Sequence, residues 1–332
     1  MGRTRVAYIT GVGLQGFHRE LAASVGAEPF DVQCIKLPFA LRYLKFLNVP
    51  IAVLKAPEGC DAYVCEGVWD LLAASVKKLW NPKAKIVMLY TFPLGMAYEG
   101  IPLEKRLFLP FARFLARRID VAFTCSEMMR ERISEIAGCP VFVVYPYAGK
   151  EFFALDARLD NNDFVDVSRD TPEKGLGRLK QAFALLPFKL DIVDRFARPR
   201  REGNVEWHGF VEDLPGFLSR HAFFAHLPAL DPFNIAVLEA MACGTIPVVN
   251  ENCGIAEIIS GAGLGGLLVP AGAEEAAKRI TEIAGMGPKE RADASSKAKA
   301  AARKLSRESS LATFRKHFQA SVYGGKAPER GL

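Results

Sequence analysis

Two carboxylates eight residues apart, Asp231 and Glu239, bracket the first part of the stretch Asp231-Pro-Phe-Asn-Ile-Ala-Val-Leu-Glu239-Ala-Met-Ala-Cys-Gly244-Thr-Ile-Pro-Val-Val249. Asp231-Pro232 reads as a helix start, an acid able to cap and then a proline near the first helical position. Gly244 reads as the stop, and Thr245 to Val249 as a short buried strand. At 100° per residue Ile235, Leu238 and Ala242 fall on one helical stripe, and Glu239 falls on it too. A carboxylate on an apolar face is costly unless something pairs with it. The start of this helix, with unpaired N–H groups and partial positive charge, suits an anion. Arg169 and Lys174 lie in Phe164-Val-Asp-Val-Ser168-Arg169-Asp-Thr-Pro172-Glu173-Lys174-Gly175-Leu176, where a strand ends at Ser168 and a helix begins near Leu176. Two cations at the C-terminal edge of a parallel sheet can embrace a diphosphate. The plainer alternative is an N-cap, a surface acid and two solvated cations.

The stretch from 231 to 249 resembles the E-x7-E motif of retaining glycosyltransferases of the GT-B fold, family 4, whose pattern reads like E-P-F-G-L-V-V-L-E-A-M-A-C-G-T-P-V-V. Asp231 stands where that pattern has its first Glu, and Asn234 where Gly is common; Glu239 and Ala240-Met-Ala-Cys-Gly244 match directly. Residues 164–176 are similar to V-G-R-x-x-P-E-K-G, with Ser168 for the Gly. Asn204-Val-Glu-Trp-His208-Gly209-Phe210-Val211 resembles N-V-x-F-x-G-x-V, and Gly265-Gly-Leu-Leu-Val-Pro270 resembles G-L-L-V-P. Looser matches are Ser126-Glu127 at a helix start and Val144 to Phe152, a P-N-G-V-D-x-x-F linker without its Asn and Asp. The resemblance is strong from 164 to 270 and weak before 120.

The resemblance implies an α/β architecture of two Rossmann-like, doubly wound parallel-sheet domains facing a cleft. It places an acceptor-binding domain at 1–147 and a nucleotide-sugar-binding domain at 148–308. Residues 309–332 would supply a helix returning to the first domain, and a tail. The implied reaction is retaining transfer of a hexose from a GDP- or UDP-sugar to a hydroxyl of a glycan or lipid-linked acceptor. Arg169 and Lys174, with the N–H groups at Asn234 and Ile235, would stabilise the departing diphosphate, and Asp231 would hold sugar hydroxyls. Glu239 would bind the ribose, Phe233 belongs to the same donor-binding helix start, and Gly209 and Phe210 would lie near the base. Gly13 and Gly16 belong to a glycine-rich first loop. No metal or other cofactor is implied, and no D-x-D pair is placed for a metal. Thr91-Phe92 stand where the family often has a His, so no catalytic base is evident; front-face transfer with a phosphate oxygen as base would not need one. Aspartate at 231 retracts the carboxylate by one methylene, which would alter sugar preference or rate. The departures at 91–92, 168, 231 and 234 leave open a protein of the same fold that binds a nucleotide sugar or lipid surface without turnover, and an inverting enzyme also stays open.

The elements that must position these residues follow from the rest of the chain. With 332 residues, half of them hydrophobic, there is material for two domains. No apolar run reaches the length of a membrane span, and the chain enters its first strand at Val6 without a signal peptide, which predicts a cytoplasmic protein. Seven scattered cysteines form no C-x-x-C and read as reduced core thiols rather than a zinc site. Strands at 5–10, 31–37, 62–65, 86–90, 121–124 and 141–144 alternate with helices at 17–24, 69–79 and 127–136, a parallel-sheet pattern. Strands at 190–193 and 222–227 and helices at 176–186, 214–219, 273–284, 288–304 and 309–322 continue it. His208 reads as structural. Gly11-Val-Gly13-Leu-Gln-Gly16 is a rival signal, a literal G-x-G-x-x-G between strand and helix with Asp31 beyond it, as in dinucleotide-binding proteins.

Charge is uneven. Residues 1–150 hold 19 Lys/Arg against 13 Asp/Glu, while residues 151–332 hold 24 of each. The first half therefore carries the whole excess, which points to an anionic partner there. Segments 39–54 and 105–118 mix large apolar groups with basic ones. They read either as core-facing helices with solvated edges or as faces that lie on an anionic membrane surface or hold a lipid-linked acceptor. No nucleic-acid module is recognisable, so nucleic acid is not an expected partner.

Overall fold

The computed structural model describes residues 5–10, 16–31, 48–90 and 95–324. The chain divides into two compact units. One comprises Met1–Ala97, Glu104–Tyr145 and Arg307–Leu332; the other comprises Tyr98–Leu103 and Pro146–Ser306.

The first unit is built on a six-stranded sheet of β1 (Val6–Thr10), β2 (Ala27–Asp31), β3 (Ala62–Cys65), β4 (Lys85–Tyr90), β5 (Val121–Thr124) and β6 (Val141–Val143), in the order β2-β1-β3-β4-β5-β6. Every pairing in it is parallel. The runs Ala-Tyr-Val-Cys and Val-Ala-Phe-Thr of β3 and β5 are buried at every position, as strands covered by helices on both faces must be. Right-handed crossovers place α1 (Gly16–Ser24) on one face. They place α2 (Asn48–Lys55), α3 (Val68–Trp80), α4 (Leu103–Ala116) and α5 (Glu127–Ala137) on the other. Ser126 caps α5, its side chain accepting the Met129 N–H at 3.3 Å. The last helix, α6 in the face shared with α1, runs Arg307–Tyr323. Its Leu311, Phe314 and Phe318 are buried with Tyr8, Leu21, Val64, Leu89 and Phe123, and the Phe314 ring meets Phe123 edge-on at 4.6 Å.

One sequence expectation shifts here. The second strand begins at Ala27, ahead of the expected 31–37, and 32–47 lie outside the described residues. Pro29 hid it; β2 is an edge strand, where proline is tolerated. Segment 105–118 is mostly helix, with Pro110 inside it.

The second unit holds strands β7 (Phe164–Val167), β8 (Leu190–Val193), β9 (Arg200–Glu202), β10 (Val205–His208), β11 (Phe223–His226) and β12 (Ile246–Val249), ordered β12-β11-β7-β8-β10-β9. All pair in parallel except β9, which is antiparallel to β10. Exposed β9 has no apolar alternation to announce it; its Arg200 lies 3.9 Å over the Trp207 ring. The loops after β7, β10 and β11 all leave the same edge of this sheet, the edge at which parallel α/β sheets bind ligands. The short helix Ile235–Ala242 follows β11 there and is packed beneath the long helix Pro288–Lys304.

Candidate functional site

Lys174 and Asp231 meet at that edge, Nζ to Oδ2 at 2.6 Å across 57 residues of sequence. Each is brought there by local chemistry. Pro172–Lys174 form one 3-10 turn closed by Gly175, whose φ is +69°. A Cβ on Gly175 would collide with the Leu227 carbonyl oxygen, so only glycine lets the turn lie this close to the end of β11. The Glu173 carbonyl accepts the Ala229 and Leu230 N–H groups at 3.0 and 3.2 Å. Asp231 is held from the other side: its N–H donates to the Asn252 carbonyl and its carbonyl accepts from Gly254 N–H, both at 2.9 Å.

A buried polar chain continues inward. His226 Nε2 lies 3.0 Å from Asp231 Oδ2, and His226 Nδ1 lies 2.6 Å from Asp166 Oδ2. Ser168 Oγ donates to the other Asp166 oxygen. Both His226 nitrogens face carboxylates, so the ring carries both protons. Burial would lower its pKa, but Asp166 and then Asp231 outweigh it and hold it at about 9. Burial would also raise Asp231, yet Lys174 and then His226 keep it well below the usual carboxylate range. Lys174 shows the same balance: burial pulls it down, and Asp231 raises it overall. Two cations thus match two anions, the condition for burying any of them. A quarter of the Lys174 side chain remains exposed, against 3% for Asp231. His226, Asp231 and Cys253 also place potential ligand atoms within 4.8 Å of one another; the Lys174 ammonium supplies the cation on the Asp231 side.

Asp231 is not the helix cap that its sequence position suggests. Its carboxylate is taken by Lys174 and His226, and Asn234 caps instead, its Oδ1 accepting the Val237 N–H at 3.2 Å. Asn234 has φ +66°, and no other described non-glycine residue has a positive φ. Its side-chain Nδ2 is buried without a partner. Ile235 opens the helix, and Phe233 is buried just before it, its N–H 3.4 Å from Asp231 Oδ1. Glu239 sits in the same helix, half-buried, and burial followed by the Glu151 charge pushes its carboxyl up to about 7. Arg169 is exposed on the loop after β7. Gly209 and Phe210 follow β10, with Phe210 77% exposed. These residues share the sheet edge or its helix with Lys174 and Asp231; the direct contacts are Lys174 with Asp231 and Phe233 with Asp231. His208 pairs with Asp191 at 2.8 Å. Gly16 starts α1 in the first unit, with nothing within 4 Å of where its Cβ would be, unlike the third glycine of a dinucleotide fingerprint, which packing demands. Gly13 and Thr91-Phe92 lie outside the described residues.

Asp166 and His226 escaped sequence reasoning, although a signal was there: each is the lone charged or ionisable side chain in an otherwise apolar strand, Phe-Val-Asp-Val and Phe-Phe-Ala-His. A second missed cluster lies in the first unit. Tyr8 OH donates to Glu66 Oε1, which also lies 2.6 Å from His18 Nδ1. Burial and then Asp70 raise Glu66 to about 8, and burial lowers His18 to about 4.

Residues 149–301, which fall in the second unit, match the family described as "Glycosyl transferases group 1". No curated protein matches the chain in sequence. Among solved structures, sucrose-phosphate synthase from Thermosynechococcus elongatus is similar with a TM-score of 0.75 at 16% identity, covering 98% of this chain and 100% of its own. HepE from Anabaena, in complex with UDP and glucose, gives 0.69 at 18% identity, covering 97% and 100%. A UDP-forming α,α-trehalose-phosphate synthase from Burkholderia vietnamiensis gives 0.70 at 12% identity, covering 97% and 98%. At these identities the likeness concerns the fold, two parallel-sheet α/β units of the GT-B kind.

Proposed function

We propose that this chain is a retaining, metal-independent glycosyltransferase that moves a hexose from a nucleotide diphosphate sugar to a hydroxyl of a glycan or lipid-linked acceptor. The observation that carries the reading is the Lys174–Asp231 contact at the mouth of the helix starting at Ile235. A partly exposed lysine side chain, a helix N-terminus and an orphan amide donor on Asn234 mark where a diphosphate would lie. UDP-sugars are the donors to test first, because the similar structures from Anabaena and Burkholderia are named for UDP chemistry; GDP-sugars come second.

Breaking the glycosidic bond places negative charge on the departing diphosphate. Lys174, Arg169 and the N–H groups of Asn234 and Ile235 stabilise that charge, which is where such donors lower a barrier most. Asp231 orients sugar hydroxyls with the oxygen that Lys174 and His226 leave over. Glu239 accepts from the ribose, and Phe210 stacks near the base. The cation beside Asp231 is an ammonium, so the scheme calls on no metal. A phosphate oxygen of the donor takes the acceptor proton on the same face of the sugar, and the acceptor itself is bound by the first unit.

Lys174→Ala tests the reading. Asp231 keeps His226 as a counter-charge, so the variant folds, as circular dichroism would verify. Transfer should fall by roughly two to three orders of magnitude. Unchanged transfer by a folded variant would remove Lys174 from the mechanism. Release of UDP or GDP from a donor sugar without acceptor would separate turnover from mere binding.

A further inference from the structure

Seven of the ten large hydrophobic side chains that stand exposed among the described residues lie on three helices: Leu54 on α2, Leu79 and Trp80 on α3, and Leu103, Leu107, Phe111 and Phe114 on α4. The three helices are neighbours in one layer. Lys77 on α3 donates to the Val53 carbonyl of α2 at 3.1 Å. Trp69 on α3 meets Phe108 and Phe111 of α4, with ring centroids 5.5 and 6.1 Å apart.

On α4 the arrangement is periodic. Ala112, Leu115 and Ala116 are buried against the sheet, which is the stripe a surface helix normally has. Leu107, Phe111 and Phe114 recur at positions i, i+4 and i+7 and form a second apolar stripe turned to the outside. Arg106, Arg113 and Arg117, all exposed, form a row along its flank, and the Arg118 guanidinium lies 5.5 Å over the Phe114 ring. The acids close to it in sequence do little to cancel this row. Asp120 is already held by Lys78 at 2.6 Å and Lys85 at 3.6 Å, and Glu104 is the one acid on α4 itself. Apolar groups that enter hydrocarbon beside guanidinium groups that meet phosphate are the pattern of a helix lying in a membrane interface. The first half of the chain also carries the whole positive excess.

We propose that the α2–α3–α4 face of the first unit docks on the surface of an anionic lipid bilayer, with α4 in the interface plane. Leu107, Phe111, Phe114 and Trp80 sink to the boundary between headgroups and acyl chains, and the arginine row contacts lipid phosphates. No helix among the described residues is long and apolar enough to cross a membrane, so the attachment is to one leaflet. A second copy fits the face less well, because antiparallel two-fold pairing of α4 would set arginine rows against each other. The inference rests on exposure and charge alone and stands whether or not the chain transfers sugar.

The test uses the full chain in co-sedimentation with vesicles of pure phosphatidylcholine and of phosphatidylcholine mixed with phosphatidylglycerol. Binding to the anionic vesicles is expected, with a blue shift of Trp80 emission that Trp80→Phe removes. It should weaken at least about tenfold between about 0.05 and 0.5 M salt. Leu107→Asn with Phe114→Asn, and separately Arg106→Gln with Arg117→Gln, should each weaken it at least about tenfold while thermal melting stays as in the parent, because all four side chains are exposed. Equal binding to neutral vesicles, no binding to anionic ones, or parent-like binding by both double variants would overturn the proposal. So would a lipid-free dimer that Leu107→Asn with Phe114→Asn dissolves.

Discussion

Gly175 turns directly against Leu227, at φ +69°, so that any Cβ would overlap the Leu227 carbonyl oxygen. The contact fixes the turn that carries Lys174 to Asp231. Gly175→Ala must combine a left-handed backbone with a collision against main chain, and neither neighbour is a flexible side chain that can yield. The expected cost is roughly 3 kcal/mol or more, read as a lowered midpoint in chemical denaturation. Residual folded protein should also transfer sugar poorly, because Lys174 moves with the turn. Wild-type stability and activity together would show that the close approach is dispensable.

His226 makes stability depend on pH in a definite direction. Its pKa is held at about 9, above the ordinary 6.5, by Asp166 and Asp231 against the opposing effect of burial. A group raised by folding contributes fully below its unfolded value and loses that contribution as pH climbs through the folded one. Stability should therefore decline between pH 6.5 and 9, by on the order of a few kcal/mol. His226→Gln keeps a hydrogen-bonding side chain without the charge. It should be less stable than the parent at pH 6 and change less over the same interval, as denaturation curves at three pH values would record. A parent curve flat from pH 6 to 9 would contradict the assignment of a buried imidazolium.

Glu239 separates stability from binding. Burial and the nearby Glu151 charge raise it to about 7. For a carboxyl raised by folding the sign is reversed in consequence: the fold bears a cost once pH exceeds the unfolded value near 4.5, and that cost is complete above about 7. Glu239→Gln removes the charge at nearly constant shape, so at pH 8 its Tm should rise by roughly a few degrees. If Glu239 grips the ribose, nucleotide affinity should nonetheless fall about tenfold. Calorimetric titration with UDP beside a melting curve checks both. A higher Tm with unaltered affinity would leave Glu239 with no part in donor binding.

The layout of the candidate site was partly legible because its signals are local. Apolar runs such as Ala62 to Cys65 announce buried parallel strands, and Glu173-Lys174-Gly175 and Asp231 to Gly244 are contiguous motifs whose order along the chain matches their shared sheet edge. What stayed hidden depends on partners distant in sequence. Asp231 looked like a cap because Pro232 follows it, but two cations from β11 and the turn at 172–174 compete for its carboxylate and win. Asp166 and His226 become neighbours only when β7 pairs with β11, in the register Phe164 to Phe223. Glu66 in the loop after β3, His18 on α1 and Tyr8 on β1 are far apart in sequence and form no motif at all. β9 pairs through its backbone, with side chains that carry no period to read.

Asn234 joins two opposing effects, and substitution can pull them apart. Its side chain caps the helix through Val237, which favours Asn over Ala by about 1 kcal/mol and over Gly by only a few tenths. Its φ of +66° is strained for a residue with a Cβ, least so for Asn, and free for Gly. Asn234→Gly should therefore sit within about 0.5 kcal/mol of the parent, strain relief offsetting the weaker cap. Asn234→Ala loses the cap and keeps the strain, so it should lie roughly 2 kcal/mol below the parent. Nucleotide affinity should order differently. Glycine leaves the backbone N–H groups in place and costs binding only what the Asn234 amide contributes, while alanine disturbs both. Denaturation and UDP titration of the two variants would establish the order. If alanine proves as stable as glycine, the positive φ is not a feature of the folded protein, and the helix start does not have the geometry on which the anion site depends.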